Sequence, residues 1–428
     1  MLQTLRNAWR IEEIRRKILF TLLIILLYRL GNAIPVPYVN IAALQSYFAM
    51  LQNTVLGLLD VMSGGAFSNA TIFALSIQPY INASIIIQLL CIAIPALERM
   101  SKEEGEEGRK KIAAITRYVT VAIGLLQGFG FYMLIKNNGI LVADAQSSIW
   151  AAIVIILTFT SGSALIMWLG EQITEHGIGN GISMILFASI ISRLPTSIVT
   201  SVRNIILGQL QWWVLVLMIL GALAIIVLIV FVNDSERRIP VQYAKRVVGR
   251  KMYGGQSTHL PMKVNMSGVM PIIFAQSIAS IPATIAAFWG KTSGWVSTWF
   301  GTNSIPYAIV YFLLIIFFAY FYSTIQFNPI EVANNLKKNG GYIPGFRPGK
   351  PTSEFIHKVL NKITLFGAIY LGIIAVVPIL VAHFSQSAAL TGISLGGTSI
   401  IIVVGVALET VRALEAQMLM RNYKGFLD

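Results

Sequence analysis

The sequence contains little charge and almost no cysteine. Charged residues make up 12% of its 428 residues, and Cys91 is its single cysteine. Soluble domains carry about 25% charged residues, so this composition argues against a soluble fold. One cysteine cannot form an internal disulfide framework. Because apolar runs of roughly 20 residues recur along the chain, the sequence predicts a multi-pass membrane protein.

Motifs for catalysis are also missing from the sequence. The run GIGNG at 177–181 lacks the Lys-Ser/Thr ending of a phosphate-binding loop and follows an apolar span, so we interpret it as a tight hairpin. No HExxH motif occurs, and the four histidines are scattered over connections and span ends. Ser163 has no histidine at comparable depth to activate it. We therefore predict that the chain is not an enzyme and needs neither a cofactor nor a metal ion.

Ten apolar segments are long enough to cross a bilayer. The first follows five basic residues, as in a signal peptide, but no small-residue cleavage site comes after it, so we interpret it as a retained helix. The predicted spans are 18–34, 72–95, 112–135, 150–169, 179–200, 212–232, 266–288, 306–326, 358–382 and 392–413. With five spans each, the halves 1–208 and 209–428 run in opposite directions, which is the layout of an inverted repeat. The predicted fold class is an all-α polytopic bundle.

Basic residues are concentrated in alternate connections between the spans. They lie in the N-terminal tail and in the second, sixth and eighth connections, whereas the odd-numbered connections hold only Lys136, Arg193, Arg203 and Lys291. Lys and Arg favour the cytoplasmic side of a membrane. The pattern therefore predicts that both termini and the even-numbered connections are cytoplasmic.

The segment 56–90 is apolar enough to enter a bilayer but is interrupted repeatedly. Its polar or helix-breaking residues are Asp60, Ser63, Gly64, Gly65, Gln78, Pro79, Asn82 and Gln88. An unpaired amide in hydrocarbon costs several kcal/mol, so a lipid-facing anchor has no use for these residues. A broken helix with polar groups at membrane depth is typical of a cavity wall. This segment indicates a path through the membrane.

Two long basic loops, at 233–265 and 327–357, lie on the predicted cytoplasmic side. In the first, the run RIPVQYAKR at 238–246 alternates apolar and polar residues, Gly254 and Gly255 follow, and 257–261 forms a second extended run, which predicts a projecting hairpin. The candidate partner-binding residues are Arg237, Arg238, Lys245, Arg246, Arg250, Lys251, Lys337, Lys338 and Arg347. Such loops suit ribosomal RNA, an acidic protein or anionic lipid, although basic loops also arise from topology alone.

Charged residues within the predicted spans lie near the span ends. Arg29 is one turn from the end of its span and can extend to the interface. Glu409 and Arg412 are three residues apart, and we expect them to pair. A proton- or ion-coupled carrier usually has an ionisable residue at mid-depth, and this sequence has none clear of the ends. A small-solute secondary transporter with inverted repeats is nevertheless the alternative function.

Aliphatic residues recur at helical spacing where a channel would narrow. Ile77 and Ile81 share one helix face, Ile182 and Leu186 repeat their spacing, and Ile273 follows Pro271 in the seventh span. Ordinary packing explains any one of these residues. Only a closed ring of them would seal a pore without binding the molecule that passes.

Five long motifs resemble those of a known family. They lie at 63–90, 167–183, 243–271, 327–349 and 396–406, and examples are SGGAFSNATIFALSIQPYINASIIIQLL and MWLGEQITEHGIGNGIS. The chain resembles the SecY family of protein-conducting channels over essentially its whole length. The resemblance implies an hourglass pore between two five-helix halves that open like a clamshell.

The resemblance also implies roles for individual residues. The implied pore ring is Ile77, Ile81, Ile182, Leu186, Ile273 and Ile402, with Leu186 standing where isoleucine is familiar. The implied plug is the short helix at about 56–67, including Leu58, Leu59, Asp60, Val61, Met62, Ser63, Gly64 and Gly65. Spans two and three against seven and eight imply a lateral gate, for which Gln88, Gln127 and Gln276 are the polar candidates.

The resemblance further implies partners, since the chain has no nucleotide site to supply a driving force. These are the small membrane subunits SecE and SecG, and the SecA ATPase or the ribosome, which would bind the two basic loops and Arg347. Signal sequences and translocating polypeptides would pass through the pore, and hydrophobic segments would leave sideways into membrane lipid. The implied location is the bacterial cytoplasmic membrane.

Overall fold

A computed structural model describes most of the chain. The described residues are 6, 8–51, 54–102, 104–145, 148–208, 211–243, 246–248, 251–253, 257–288, 299, 301, 304–385 and 388–424. Helices of the first half are α1 (Glu12–Gly31), α2 (Ile41–Met50), α3 (Val55–Met62), α4 (Gln78–Ala93), α5 (Pro95–Lys102), α6 (Gly105–Asn137), α7 (Ile149–His176) and α8 (Gly181–Ile206). Those of the second half are α9 (Trp212–Asp234), α10 (Met270–Phe288), α11 (Ile305–Gln326), α12 (Pro329–Lys338), α13 (Lys350–Ser385) and α14 (Ala388–Lys424).

Each predicted span overlaps at least one helix of the structure. Judged by length and composition, six helical segments of the described chain can cross a membrane, or seven if the bent pair α4 and α5 forms one span. The multi-pass character of the chain is therefore confirmed. The number ten stays a prediction, because α1, α10 and α14 do not meet this test on their own.

The second predicted span begins later than expected. Helix α4 starts at Gln78, and residues 63–77 form turns between it and the short helix α3. Gly64 and Gly65 have φ values of 69° and 89°, which side chains with a Cβ rarely adopt. A Cβ on Gly162 of α7 would overlap the carbonyl oxygen of Ile72. Glycine at position 162 thus lets the turn segment pack closely on α7.

The predicted hairpin at 177–181 joins α7 to α8. The side chain of Asn180 caps α8 by accepting hydrogen bonds from the backbone N–H groups of Ile182 (3.0 Å) and Ser183 (3.3 Å). A Cβ on Gly181 would overlap the carbonyl oxygen of Gly170, so this glycine allows the two helices to touch at their ends. The hairpin therefore fixes where α8 begins.

One hydrophobic core joins the two halves. Its buried residues come from α1, α3, α4, α7 and α8 of the first half and from α9, α10, α11, α13 and α14 of the second. A second cluster lies within the first half, where the ring of Phe131 stacks on Phe67 (centroids 4.1 Å apart) and contacts Phe159 (5.0 Å). The segment that links α3 to α4 is thus anchored on both clusters.

The predicted hairpin of the first basic loop is confirmed. Strand β1 (Glu236–Tyr243) pairs antiparallel with β4 (Ser257–Lys263), and a two-stranded ribbon, β2 (Arg246–Val248) and β3 (Lys251–Tyr253), lies between them in the chain. On its other edge, β1 also pairs antiparallel with β5 (Gly341–Tyr342) of the second basic loop. The sequence did not predict this second pairing.

The two basic loops share a hydrophobic core of their own. It contains Ile239 and Met262 of the hairpin, Leu336 of α12, and Ile356 and Leu360 of α13. We call β1, β4, β5, α12 and the first part of α13 the loop domain. Helix α13 then continues into the main core through buried residues that include Leu371, Ile374 and Ile379. One continuous helix therefore connects the loop domain to the core.

Candidate functional site

The residues of the implied pore ring all lie in or against the main core. Five of them are at most 3% exposed, and Ile182 is partly buried against the same cluster. They come from four helices: Ile77 and Ile81 from the start of α4, Ile182 and Leu186 from the start of α8, Ile273 from the start of α10, and Ile402 from α14. The structure thus brings this sequence-predicted set together, while its role as a ring stays a prediction.

Three of these helices begin inside the core rather than at its edge. Ile77 is the N-cap residue of α4, with Pro79 in the first turn, where the missing N–H of proline costs no hydrogen bond. Gly170 of α7 lies beside the starts of α4 and α8, because a Cβ there would lie 3.6 Å from Ile77 Cδ1 and 3.7 Å from the backbone nitrogen of Ile182. These are ordinary van der Waals distances, so position 170 packs against the starts of two ring helices that lie side by side.

The implied plug is a short helix packed on both halves. Helix α3 contacts α8 of the first half and α10 and α14 of the second. Leu58 and Met62 belong to the main core, which also contains the ring residues. The predicted residues 58–65 therefore form the end of this helix and the turn after it.

An ion pair holds the end of α3 against α8. The carboxylate of Asp60 pairs with the guanidinium of Arg193, and its other oxygen accepts a hydrogen bond from the backbone N–H of Ser68 (2.7 Å). Arg193, counted above with the odd-numbered connections, falls inside the predicted span 179–200, and in the structure it lies within α8. No local pattern could predict this pair, since the two residues are 133 positions apart.

A cavity of about 220 Å³ lies between α4, α6 and α10. Its lining includes α3 and the side chains of Gln78, Asn82, Gln127 and Ser277. The amide of Gln78 donates a hydrogen bond of 3.2 Å to the hydroxyl of Ser277, which joins α4 to α10. The face between α4, α6 and α10 is therefore held together by a polar contact beside an apolar cavity.

The three predicted gate glutamines occupy different environments. Gln127 lines the cavity. Gln88 donates to the hydroxyl of Ser84 in its own helix (3.2 Å), and the side-chain oxygen of buried Gln276 has no hydrogen-bond partner among the described residues. The hydrogen bond between α4 and α10 is instead made by Gln78. The sequence prediction missed this role, although a glutamine within an apolar segment could have indicated it.

Basic residues of the loop domain are exposed and come from several elements. Arg237 and Arg238 lie on β1, Lys337 and Lys338 end α12, and Arg347 lies in the turn before α13. Arg246 and Lys251 fall on β2 and β3, whereas Lys245 and Arg250 lie outside the described residues. The hydroxyl of Thr352 donates to the carbonyl oxygen of Arg347 (2.8 Å), which fixes the backbone of that turn.

Arg412 acts on Glu409 through its charge, as expected, but its closest partners are elsewhere. Its guanidinium donates to the carbonyl oxygen of Asn233 and pairs with Asp234, both at 2.6 Å and both at the end of α9, rather than with Glu409. Burial, and then the charge of Arg412, lowers the pKa of the nearby Lys263 on β4. Arg412 thus ties α14 to the junction between α9 and the loop domain.

Apolar membrane-length helices, of which several begin inside a shared aliphatic core, define a multi-pass helical membrane protein. A model of the SecY family matches residues 71–411. The chain belongs to the SecY family. It is 45% identical to the protein translocase subunit SecY of Streptomyces scabiei over 443 residues, and 44% identical to that of Mycobacterium bovis over 446 residues, with each match covering 100% of both chains.

Solved protein-conducting channels share this fold. One such channel has a TM-score of 0.68 at 17% identity, and a SecY whose plug domain stabilises the closed translocation channel and maintains a membrane seal has 0.67 at 17%; each comparison covers 94% of this chain and 92% of the other. Sec61 of the canine ribosome–channel complex has a TM-score of 0.65 at 16% identity, with the same coverage. The chain is a protein translocation channel, and the small-solute transporter is not favoured.

Proposed function

We propose that this translocation channel passes unfolded secretory polypeptides between the six aliphatic residues of the ring. The observation that carries the proposal is the convergence of these residues, from four helices of both halves, in one apolar core. A transported chain varies in sequence, so a ring without charge or hydrogen-bonding groups binds none of it strongly. The same ring limits the passage of ions, because an ion loses its hydration there without compensation.

Helix α3 is the plug of this channel in our proposal. Its contacts with α8, α10 and α14 support the assignment, since it packs on both halves beside the ring. The plug domain of the similar SecY structure stabilises a closed state. We extend that role to residues 56–67 of this chain.

The membrane arrangement we propose has ten spans in two inverted halves, 1–208 and 209–428, around an hourglass pore. The distribution of Lys and Arg supports cytoplasmic termini and a cytoplasmic loop domain. The Streptomyces and Mycobacterium relatives support the cytoplasmic membrane of a bacterium as its location.

Hydrophobic segments leave the pore through the face between α4, α6 and α10. The cavity there supports this proposal, as does the hydrogen bond from Gln78 to Ser277, which must break when α4 and α10 separate. An apolar segment that reaches this opening gains free energy by entering lipid.

The loop domain binds the partner that drives transport. Its exposed basic residues support an acidic or polyanionic partner, which we propose is the SecA ATPase or the ribosome. Similar Sec61 and Ssh1 channels occur in complexes with ribosomes. SecE and SecG are the proposed small subunits.

Reconstitution tests the whole proposal. The chain is inserted into lipid vesicles with SecE and SecG, and a secretory precursor is added with or without SecA and ATP. We expect protease-protected precursor only when both SecA and ATP are present. Transport of a small solute without any need for SecA, together with no protected precursor, would contradict the proposal.

A further inference from the structure

The end of the plug helix rests on a polar surface of the first half. Asp60 is 6% exposed, and its partner Arg193 projects from α8. Tyr28 of α1 lies with its hydroxyl 2.7 Å from Ser189 Oγ and 3.4 Å from the carbonyl oxygen of Ser63, the residue after α3. Polar groups of α1 and α8 therefore hold the turn where α3 ends.

The glycines of this turn bring its backbone against the same surface. A Cβ on Gly64 would lie 3.0 Å from the carbonyl oxygen of Ser189, and one on Gly65 would lie 3.2 Å from Arg193 Nη2. Ser63 closes the turn from inside, because its hydroxyl accepts from the N–H of Phe67 at 3.1 Å. The ion pair thus forms beside a turn that is already fixed in place.

Helix α3 makes apolar contacts with both halves, but its ion pair is with the first half alone. Its apolar residues face the core shared by α8, α10 and α14, and those contacts weaken when the halves separate. Its ion pair reaches only α8, so movement of the second half does not by itself break it. A charge left buried without its partner is costly, so the pair resists displacement of α3 until water or a substrate reaches it.

We propose that Arg193 is a gating residue, which retains the plug through Asp60 and sets how readily a polypeptide displaces it. This proposal rests on the assignment of α3 as the plug. It predicts that the pair controls the resting channel, before any partner or substrate binds.

The test measures the ion conductance of the resting channel, reconstituted with SecE and SecG in planar bilayers without SecA. Asp60→Asn removes the charge but keeps an oxygen for the N–H of Ser68, and Arg193→Gln removes the other charge. We expect each variant to raise the open fraction by about tenfold, the effect of losing a charge-assisted hydrogen bond. The double variant should be no leakier than either single one, because both remove the same interaction.

Two controls make the result specific. Arg117→Gln breaks a more exposed ion pair between two helices, in which Arg117 of α6 lies 2.9 Å from Glu171 of α7, and it should leave the resting conductance unchanged. Arg193→Lys keeps the charge without the planar fork, so its conductance should lie between those of the wild type and Arg193→Gln. Each variant is compared at equal amounts of inserted, folded channel.

Different results would overturn different claims. Wild-type conductance in both single variants, or a double variant as leaky as the two effects multiplied, would remove the gating role of the pair. A variant without residues 56–62 tests the plug itself. If that deletion also leaves the resting channel closed, the assignment of α3 as the plug fails and not merely the role of Arg193.

Discussion

Single glycines determine how closely the helices of the core approach. At Gly181 there is no room for a side chain, because a Cβ would overlap the carbonyl oxygen of Gly170. Gly221 of α9, in contrast, has no neighbouring atom within 4 Å of such a Cβ. The two positions differ in packing and not in residue type, so they form a matched pair for mutation.

Gly181→Ala should destabilise the folded protein by about 1–3 kcal/mol, the usual cost of an extra group in a packed core. Gly221→Ala should leave stability unchanged or raise it slightly, since alanine favours an exposed helix. Thermal unfolding in detergent measures both. Equal midpoints for the two variants would show that α7 and α8 separate easily at this point.

The ring residue Ile402 is 1% exposed in the main core. Ile402→Asn should lower stability by about 1–3 kcal/mol, because its amide is buried, and should increase ion efflux from vesicles by admitting water to the seal. Ile402→Leu preserves volume and apolar character, so it should behave as the wild type. An Asn variant that is destabilised but not leaky would mean that Ile402 only packs the core.

At the scale of elements, local patterns in the sequence predicted what each segment forms. The alternation of Ile239, Val241 and Tyr243 predicted β1, and the polar interruptions at 63–65 predicted that α3 and α4 are separate. Partners distant in sequence were not predictable from such patterns. The strand pairing of Gln242 with Tyr342 and the ion pair of Asp60 with Arg193 depend on the tertiary arrangement, because nothing within either segment specifies them.

The contact between α4 and α10 leads to a prediction about signal sequences. Ser277→Ala removes the hydroxyl that accepts from Gln78, so the face should open more easily by about two- to tenfold, the net value of one hydrogen bond. Transport of a precursor with a weakly hydrophobic signal should rise by that factor. Ser161→Ala, which alters only a contact within α7, is the control. Equal transport by both variants would contradict the proposed gate.

At the scale of the whole molecule, the two basic loops act as one body because they share a sheet and a hydrophobic core. Arg347 is exposed on this body. Arg347→Glu should impair SecA-driven transport while leaving abundance and insertion unchanged, since exposed substitutions alter stability by only about 0.5 kcal/mol. Arg109→Glu reverses an equally exposed charge on α6 as a control. Unaltered ATP-driven transport in the Arg347 variant would remove that residue from the partner contact.

Helix α13 spans 36 residues from the loop domain to the main core, with Pro378 near its far end. At 1.5 Å per residue it is about 54 Å long, whereas the hydrocarbon layer is about 30 Å thick. In the proposed membrane arrangement, its loop-domain end therefore lies outside the bilayer. Tilting a rod of this length by about 5° moves one end by about 5 Å relative to the other. We therefore expect a movement of the loop domain to be transmitted along α13 to the main core.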